Sequence, residues 1–225
     1  MATMPGLLIL DFDGTLADTF EDVANAMIGT FKAQGHRPPA RESIHRHMGL
    51  RLEAAIPLMG GPSEPEKLQT WVAAYRRRYL EDGGRRTKLF PGTREVLKGA
   101  ADNGLQPVLV SNKGIDAIRS CLRRTEIDGY LAAVFAADTG LHHKPDGRLY
   151  RSEIKARFPE IGDEDSVVVG DTATDLLFAR NSGLRSCWAT YGYGNATECR
   201  QMSPDFSVNR FDQLPELLSW AGATR

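Results

Sequence analysis

Short apolar segments recur along the chain, and turn or polar residues follow each of them. Four segments are typical of strands, at residues 7–10, 107–110, 133–136 and 166–169. They are apolar throughout, which indicates strands buried on both faces of a parallel sheet. Helical patterns separate them, with apolar residues three or four positions apart: Ile115, Ile118 and Leu122, then Tyr150, Ile154 and Phe158, then Leu176 and Leu177 before Gly183. This alternation predicts an α/β fold with a doubly wound parallel sheet.

Residues 16–86 interrupt the alternation, because they contain helical patterns but no convincing strand. Two apolar stripes stand out: Phe20, Val23, Met27 and Phe31, and then Leu68, Trp71, Val72, Tyr75 and Tyr79. The three arginines at residues 76–78 fall between two of these positions and are interpreted as a solvated helix face. We therefore predict a core domain of residues 1–15 and 87–225, and an all-helical inserted domain of residues 16–86.

Composition narrows the classes of partner. The 225 residues include 28 Lys and Arg against 29 Asp and Glu, so the overall charge calls for neither nucleic acid nor an anionic membrane. The first apolar segment is far shorter than a membrane span, and no basic stretch precedes it. Three cysteines without the pair spacing of metal ligands fit a reducing compartment. We expect a cytoplasmic protein.

Polar residues follow the predicted strands, at the edge where a parallel sheet binds its ligands. After the first strand come Asp11, Asp13, Gly14 and Thr15, and after the second Ser111, Asn112 and Lys113. Lys144 lies between the third and the fourth strand, and Asp171 and Asp175 follow the fourth. Four aspartates in one partly buried pocket require a compensating cation. Oxygen ligands without His or Cys select a hard cation, and so few carboxylates favour Mg²⁺ that shares ligands with a phosphate. Lys144 and the Ser111 hydroxyl would hold the remaining anionic oxygens.

In this order, the residues resemble the motifs of the haloacid-dehalogenase-like (HAD) hydrolase superfamily. The segment DFDGTLADT at residues 11–19 resembles the first motif, Ser111-Asn112 the second, Lys144-Pro145 the third, and GDTATD at residues 170–175 the fourth. One departure is Gly147, where relatives often carry proline. The likeness covers nearly the whole chain and implies a Rossmann-like core with an inserted helical C1 cap.

The resemblance also implies a reaction in two steps. Asp11 would attack phosphorus and become an aspartyl phosphate, while Asp13 would protonate the leaving group and then take a proton from the hydrolytic water. Lys144 would pair with Asp11 and the phosphoryl group. The phosphate-binding residues would be Ser111, Asn112 and Lys144. The Mg²⁺ ligands would be Asp11, Asp13 through its backbone carbonyl, Asp171 and, directly or through water, Asp175.

The cap would select the leaving group. In the stretch HMGLRLEAAIP at residues 47–57, Arg51 is expected to reach a substrate carboxylate or second anion, whereas His45 and His47 are interpreted as structural. The segment WATYGYGN at residues 188–195 resembles the one that follows the fourth motif in phosphoglycolate-phosphatase-like members.

The predicted function is a Mg²⁺-dependent phosphatase for a small phosphate monoester, with phosphoglycolate as one candidate. Dehalogenases of the superfamily lack the aspartate at position 13, and a phosphonate hydrolase needs a cap lysine, for which neither Lys32 nor Lys67 is singled out. A sugar phosphomutase, a pyrophosphatase or a non-catalytic binding protein stay open as alternatives. The expected partner is a small phosphorylated metabolite, with no nucleic acid and no membrane, and the chain is expected to be a monomer or a homodimer.

Overall fold

A six-stranded parallel sheet forms the centre of the molecule, which a computed structural model describes for residues 6–218. The strands are β1 (Leu7–Leu10), β2 (Ala17–Asp18), β3 (Lys88–Leu89), β4 (Gln106–Val110), β5 (Ala133–Phe135), β6 (Ser166–Gly170), β7 (Arg185–Ala189) and β8 (Phe206–Val208). The main sheet has the order β5-β4-β1-β6-β7-β8, while β2 and β3 pair antiparallel as a separate ribbon.

Helices cover the sheet and fill the segment between β2 and β3. They are α1 (Phe20–Ala33), α2 (Arg41–Arg46), α3 (Leu52–Leu58), α4 (Pro65–Asp82), α5 (Thr93–Asp102), α6 (Ile115–Thr125), α7 (Lys155–Arg157), α8 (Ala173–Ser182), α9 (Ala196–Gln201) and α10 (Leu214–Leu217). A π-helical stretch, Leu149–Ile154, runs directly into α7. Among residues 6–218, no helix combines the length and apolar character that a bilayer crossing requires.

The central strand β1 is buried on both faces. Leu8 and Leu10 belong to one apolar cluster with residues of α5 and α6, whereas Leu7 and Ile9 belong to a second cluster with Phe178 of α8. An uninterrupted apolar strand is therefore what this position requires. The prediction of a doubly wound α/β fold is confirmed, and the four predicted strands lie within one residue of β1, β4, β5 and β6.

The inserted segment departs from its prediction in one respect. Residues 16–86 were expected to contain no strand, but Ala17–Asp18 pairs with Lys88–Leu89. Two residues are too short to give an apolar alternation, and the pairing exists only because the chain returns beside its exit point. Between the two strands, α1 packs against α4 and α2, and α3 packs against α4. The domain boundaries at residues 15/16 and 86/87 stay a prediction.

Candidate active site

The chain turns sharply after β1, and this turn carries the first two aspartates. The N–H of Gly14 donates to the carbonyl of Ala17 at 2.8 Å, and Phe12 is buried beneath the turn. Gly14 has a φ of 89°, and a Cβ there would lie 2.3 Å from Asp171 Oδ2. Only glycine adopts this conformation and admits so close a carboxylate. The turn thereby brings the ends of β1 and β6 together.

Lys144 joins carboxylates from two strand ends. Its Nζ lies 2.6 Å from Asp11 Oδ1 and 2.5 Å from Asp175 Oδ1, and all three side chains are at most 5% exposed. Asp175 also accepts hydrogen bonds from the N–H and hydroxyl of Thr172, at 3.0 and 2.7 Å, in a capping box that begins α8. Because Asp175 is fixed by its own helix, it holds Lys144 against Asp11.

Asp171 is oriented by the segment that follows β7. Its Oδ2 accepts the N–H of Tyr193 at 2.7 Å, and its carbonyl accepts Trp188 Nε1–H at 3.1 Å. A Cβ on Gly192 would lie 2.4 Å from Asp171 Oδ2, so this position requires glycine. On the other side, Thr15 donates to Asp171 Oδ1 at 2.9 Å. From the sequence, the segment WATYGYGN was interpreted only as a resemblance to a subfamily, and its contact with Asp171 was not predicted. Its two glycines, Gly192 and Gly194, were a signal that the backbone there lies close to another part of the chain.

The buried carboxylates fit a divalent cation. Ligand oxygens of Asp11, Asp171 and Asp175 lie within 4.8 Å of one another, and Lys144 balances only one of the three charges. Burial raises the pKa of Asp11 to about 7, with Asp175 and Asp13 adding to it and Lys144 opposing it. Burial, Asp175 and Asp11 raise the pKa of Asp171 well above its usual range. Burial is the main cause of both shifts and the neighbouring carboxylates add to it, so a cation would stabilise the charged forms, and oxygen donors alone suit Mg²⁺.

Asp13 is not a member of this carboxylate group. Its Oδ1 lies 2.9 Å from the Nζ of Lys113, and the two side chains are 13% and 9% exposed. The same Nζ lies 4.3 Å from the ring centre of Tyr79 on α4. Burial opposes a charge on Lys113, but Asp13 and then Tyr79 raise its pKa well above its usual value. Lys113 was absent from the predicted site residues, although its position directly after Ser111-Asn112 was a signal.

The two predicted phosphate-binding residues after β4 have different surroundings. Ser111 is buried at the end of the strand, and its hydroxyl accepts the N–H of Lys113 at 3.2 Å. Asn112 donates from Nδ2 to the carbonyls of Gly49 and Lys144, at 3.0 and 3.1 Å. Asn112 thus connects the loop between α2 and α3 to the loop that carries Lys144. Its Oδ1 is buried without a hydrogen-bond partner among residues 6–218.

A cavity of about 120 Å³ lies between the aspartate turn and the inserted helices. We call it the chamber. Its core side includes Asp11, Asp13, Ser111, Asn112 and Lys113. Its helical side is mainly apolar and includes Val23, Met27, Ile44, Met48, Leu52 and Met59. Asp11 and Asp13 therefore face a space with one charged wall and one apolar wall.

Two arginines of the inserted segment differ in their relation to the chamber, and the predicted contact of Arg51 with a substrate anion stays a prediction. Arg51 does not line the chamber: its Nη1 lies 3.2 Å from His143 Nε2, and its Nη2 lies 3.3 Å from Glu53 Oε1. The structure therefore does not bring Arg51 into the space beside Asp11. Arg76 does line the chamber and pairs with Asp138 at 3.1 Å. The interpretation of residues 76–78 as a solvated face holds only in part for Arg76, because its side chain is 37% exposed but the rotation of α4 also brings it to Asp138 and the chamber.

The predicted structural histidines lie beside the chamber. His47 lines it, and its Nδ1 lies 2.7 Å from the carbonyl of Ser43. His45 packs edge-to-face against Phe20 and Tyr193, each at a ring-centre distance of 5.4 Å. Both rings thus support the loop that approaches the site from the helical side.

Fold and site together define an α/β protein that gathers carboxylates, a buried lysine and a chamber at the carboxyl ends of its strands. Residues 8–189 match the family model described as haloacid dehalogenase-like hydrolase. The chain belongs to this family, so the resemblance carried by the four motifs is confirmed and the protein is a hydrolase.

Curated relatives match along most of the chain. It is 27% identical over 224 residues to phosphoglycolate phosphatase 1 from Pseudomonas aeruginosa, a match that covers 97% of this chain and 80% of that protein. It is 26% identical over 214 residues to phosphoglycolate phosphatase from Aquifex aeolicus, covering 94% and 96%. Among solved structures, a haloacid dehalogenase-like family hydrolase from Streptococcus pneumoniae has a TM-score of 0.82 at 21% identity, covering 95% and 98%. This structural similarity shows that the two chains share the same fold.

Proposed function

We propose that this hydrolase is a Mg²⁺-dependent phosphatase that cleaves a small phosphate monoester through an aspartyl phosphate on Asp11. One observation carries the proposal. Asp11 lies at the boundary of the chamber, in contact with Lys144 and within 4.8 Å of the other buried carboxylates. A nucleophile, a cation site and an open space thus lie within the width of one phosphate group. The names of the curated relatives, phosphoglycolate phosphatases, support the same chemistry.

In this proposal, Asp11 attacks phosphorus in line with the leaving oxygen. Lys144 keeps the carboxylate oriented and, with the Ser111 hydroxyl, holds the equatorial oxygens of the transferring group. When bound, Mg²⁺ would neutralise charge on the nucleophile and on the phosphoryl oxygens. The carboxylates of Asp11 and Asp171 and the backbone carbonyl of Asp13 would hold it. The contacts of Asp175 with Lys144 and Thr172 suit a residue that positions the lysine.

The proton steps belong to Asp13 in this proposal. It donates a proton to the leaving oxygen and later takes one from the water that hydrolyses the aspartyl phosphate. Its carboxylate borders the chamber and is 13% exposed, so it can reach both the leaving group and a water molecule. Lys113 holds it in place between these steps.

Phosphate release and covalent trapping test the proposal. We expect Mg²⁺-dependent release of phosphate from phosphoglycolate, loss of release with EDTA, and recovery when Mg²⁺ is restored. Acid quenching with ³²P-labelled ester should leave label on wild-type protein and none on Asp11→Asn, whose kcat should fall by about 10³ or more. Asp102→Asn, at the exposed end of α5, is the matched control and should keep wild-type activity.

Other outcomes favour the alternatives. Label that moves within a sugar bisphosphate with little net release would indicate a phosphomutase, and preferential release from pyrophosphate would indicate a pyrophosphatase. No release from a broad panel of esters, with Asp11→Asn indistinguishable from wild type, would leave a non-catalytic binding protein. A cytoplasmic location and a monomeric or homodimeric state are also proposed, to be tested by cell fractionation and by light scattering.

A further inference from the structure

We propose that Arg76 is a specificity-determining residue that binds a carboxylate on the leaving group. The preferred substrates are then compact phosphate monoesters that carry a second anionic group. This inference rests on the proposed phosphatase function and adds to it the class of leaving group and the residue that recognises it.

The guanidinium of Arg76 has one satisfied side and one unsatisfied side. Its Nη1 pairs with Asp138 Oδ2 at 3.1 Å. Its Nε is buried and has no hydrogen-bond partner among residues 6–218. A buried N–H without an acceptor is uncommon in native proteins, and a ligand oxygen is one way to satisfy it. The Nε and Nη2 edge of an arginine also matches the two oxygens of a carboxylate.

Neighbouring groups fix this arginine at the chamber. Asp138 is itself anchored, because its Oδ1 accepts the N–H of Ile115 at 2.8 Å at the start of α6. A Cβ on Gly114 would lie 3.6 Å from Arg76 Nε, so the backbone before α6 lies close to the guanidinium, and Gly114 lines the chamber as well. Lys113 lines the same chamber. Two cations therefore border the space that a leaving group would enter, and each is paired with an aspartate that also lines it: Arg76 with Asp138 and Lys113 with Asp13.

Two further arginines of the inserted segment, Arg77 and Arg51, do not meet these conditions. Arg77 is the next residue on α4, but its side chain is 76% exposed, and it lies 3.9 Å from Glu81. Arg51 also has a buried Nε without a partner, yet its guanidinium faces Glu53 and His143 away from the chamber lining. Arg76, whose side chain is 37% exposed, thus joins an unsatisfied donor with a place in the chamber lining beside Asp11 and Asp13.

The size and the apolar wall of the chamber limit the rest of the leaving group. Its volume of about 120 Å³ is somewhat smaller than a cavity of roughly 150 Å³ that holds one benzene molecule. Met27, Met48 and Met59 supply an adaptable apolar surface for a short carbon skeleton. A carboxylate on two to four carbons fits these limits, whereas a nucleoside or an oligosaccharide exceeds them.

A matched pair of esters tests the inference without any substitution. Phosphoglycolate and ethyl phosphate share a two-carbon skeleton, but ethyl phosphate has a methyl group in place of the carboxylate. We expect wild-type kcat/KM to be at least about tenfold higher for phosphoglycolate. Equal values for the two esters would overturn the inference while leaving the phosphatase intact. Failure to release phosphate from either ester or from the broader panel would overturn the proposed function as well.

Variants then assign the preference to one side chain. Arg76→Gln should lower kcat/KM for phosphoglycolate about 30-fold, mainly through KM, and that for ethyl phosphate less than about threefold. Arg76→Lys should restore part of the loss, and Arg77→Gln should resemble wild type on both esters. Asp138→Asn removes the ion-pair partner but keeps the Arg76 donors. If Arg76→Gln and Asp138→Asn lowered activity equally on both esters, the arginine would only join α4 to the core, and the inference would be wrong.

Discussion

The two walls of the chamber differ in the number of charged groups that they pair within the protein. On the core wall, Asp11 and Asp13 pair with Lys144 and Lys113, and behind that wall Asp171 accepts hydrogen bonds from Thr15 and Tyr193. One polar atom of the core wall, Asn112 Oδ1, has no partner among the described residues. The wall formed by the inserted helices is mainly apolar, and Arg76 Nε has no partner there among the described residues. In the proposed function, the groups that act on the phosphoryl group are therefore paired with charged partners inside the protein, whereas the Arg76 donor that meets the leaving group has no partner of its own.

The difference has an energetic consequence. Buried charges on the core wall depend on one another, because removing one partner leaves another uncompensated. Apolar side chains on the opposite wall act mostly through shape and area. Substitutions on the core wall should therefore affect stability and chemistry together, and those on the helical wall should affect mainly the choice of ester.

Removing the buried lysine should have the largest effect. Lys144→Met leaves Asp11 and Asp175 adjacent without a counterion, so the free energy of unfolding should fall by about 3 kcal/mol. Loss of its contact with the transferring phosphoryl group should lower kcat by about 10³. Urea denaturation and initial rates measure the two effects, with Lys98→Met, exposed on α5, as the control. A variant as stable and as active as wild type would contradict the dependence assigned to this wall.

The effect of metal binding on the free energy of unfolding should be the second largest. Saturating Mg²⁺ at about 100 times its Kd should stabilise wild type by about 2.7 kcal/mol, because it binds only the folded state. Asp171→Asn removes one buried carboxylate of the cluster, so most of this stabilisation should vanish. Thermal denaturation with and without Mg²⁺, and calorimetric titration, measure the change. The control Asp102→Asn should respond like wild type, and an undiminished shift in Asp171→Asn would place the cation elsewhere.

Sequence patterns predicted the core wall far better than the helical wall. Asp11, Asp171, Asp175 and Lys144 follow or adjoin apolar strands, and parallel strands bring such positions to one edge whatever the remaining packing. The strands β7 and β8 were not predicted. The first begins with Arg185 and Ser186, and the second is three residues long, so neither shows an uninterrupted apolar run.

The residues that sequence reasoning missed depend on how distant segments pack. Nothing in the run of three arginines separates Arg76 from Arg77, because only the rotation of α4 against the core turns the first toward Asp138. Lys113 gains its environment from Tyr79, which lies 34 positions earlier on the inserted helix α4. Tyr193 reaches Asp171 only because β7 lies beside β6. The pattern of residues within one segment does not indicate such contacts between distant segments.

Shortening an apolar side chain of the helical wall should give the smallest of these effects. It tests whether the helical wall selects esters through apolar contact. Met59 lines the chamber, whereas its neighbour Leu58 is 61% exposed and does not. Met59→Ala should raise KM for butyl phosphate by about tenfold and leave kcat nearly unchanged, since lost apolar contact weakens ground state and transition state alike. The KM for phosphoglycolate should change less, because its carboxylate is held by polar contacts, and Leu58→Ala should match wild type on both esters. A fall in kcat on both esters would show instead that Met59 supports the catalytic groups, and the contrast between the two walls would not hold.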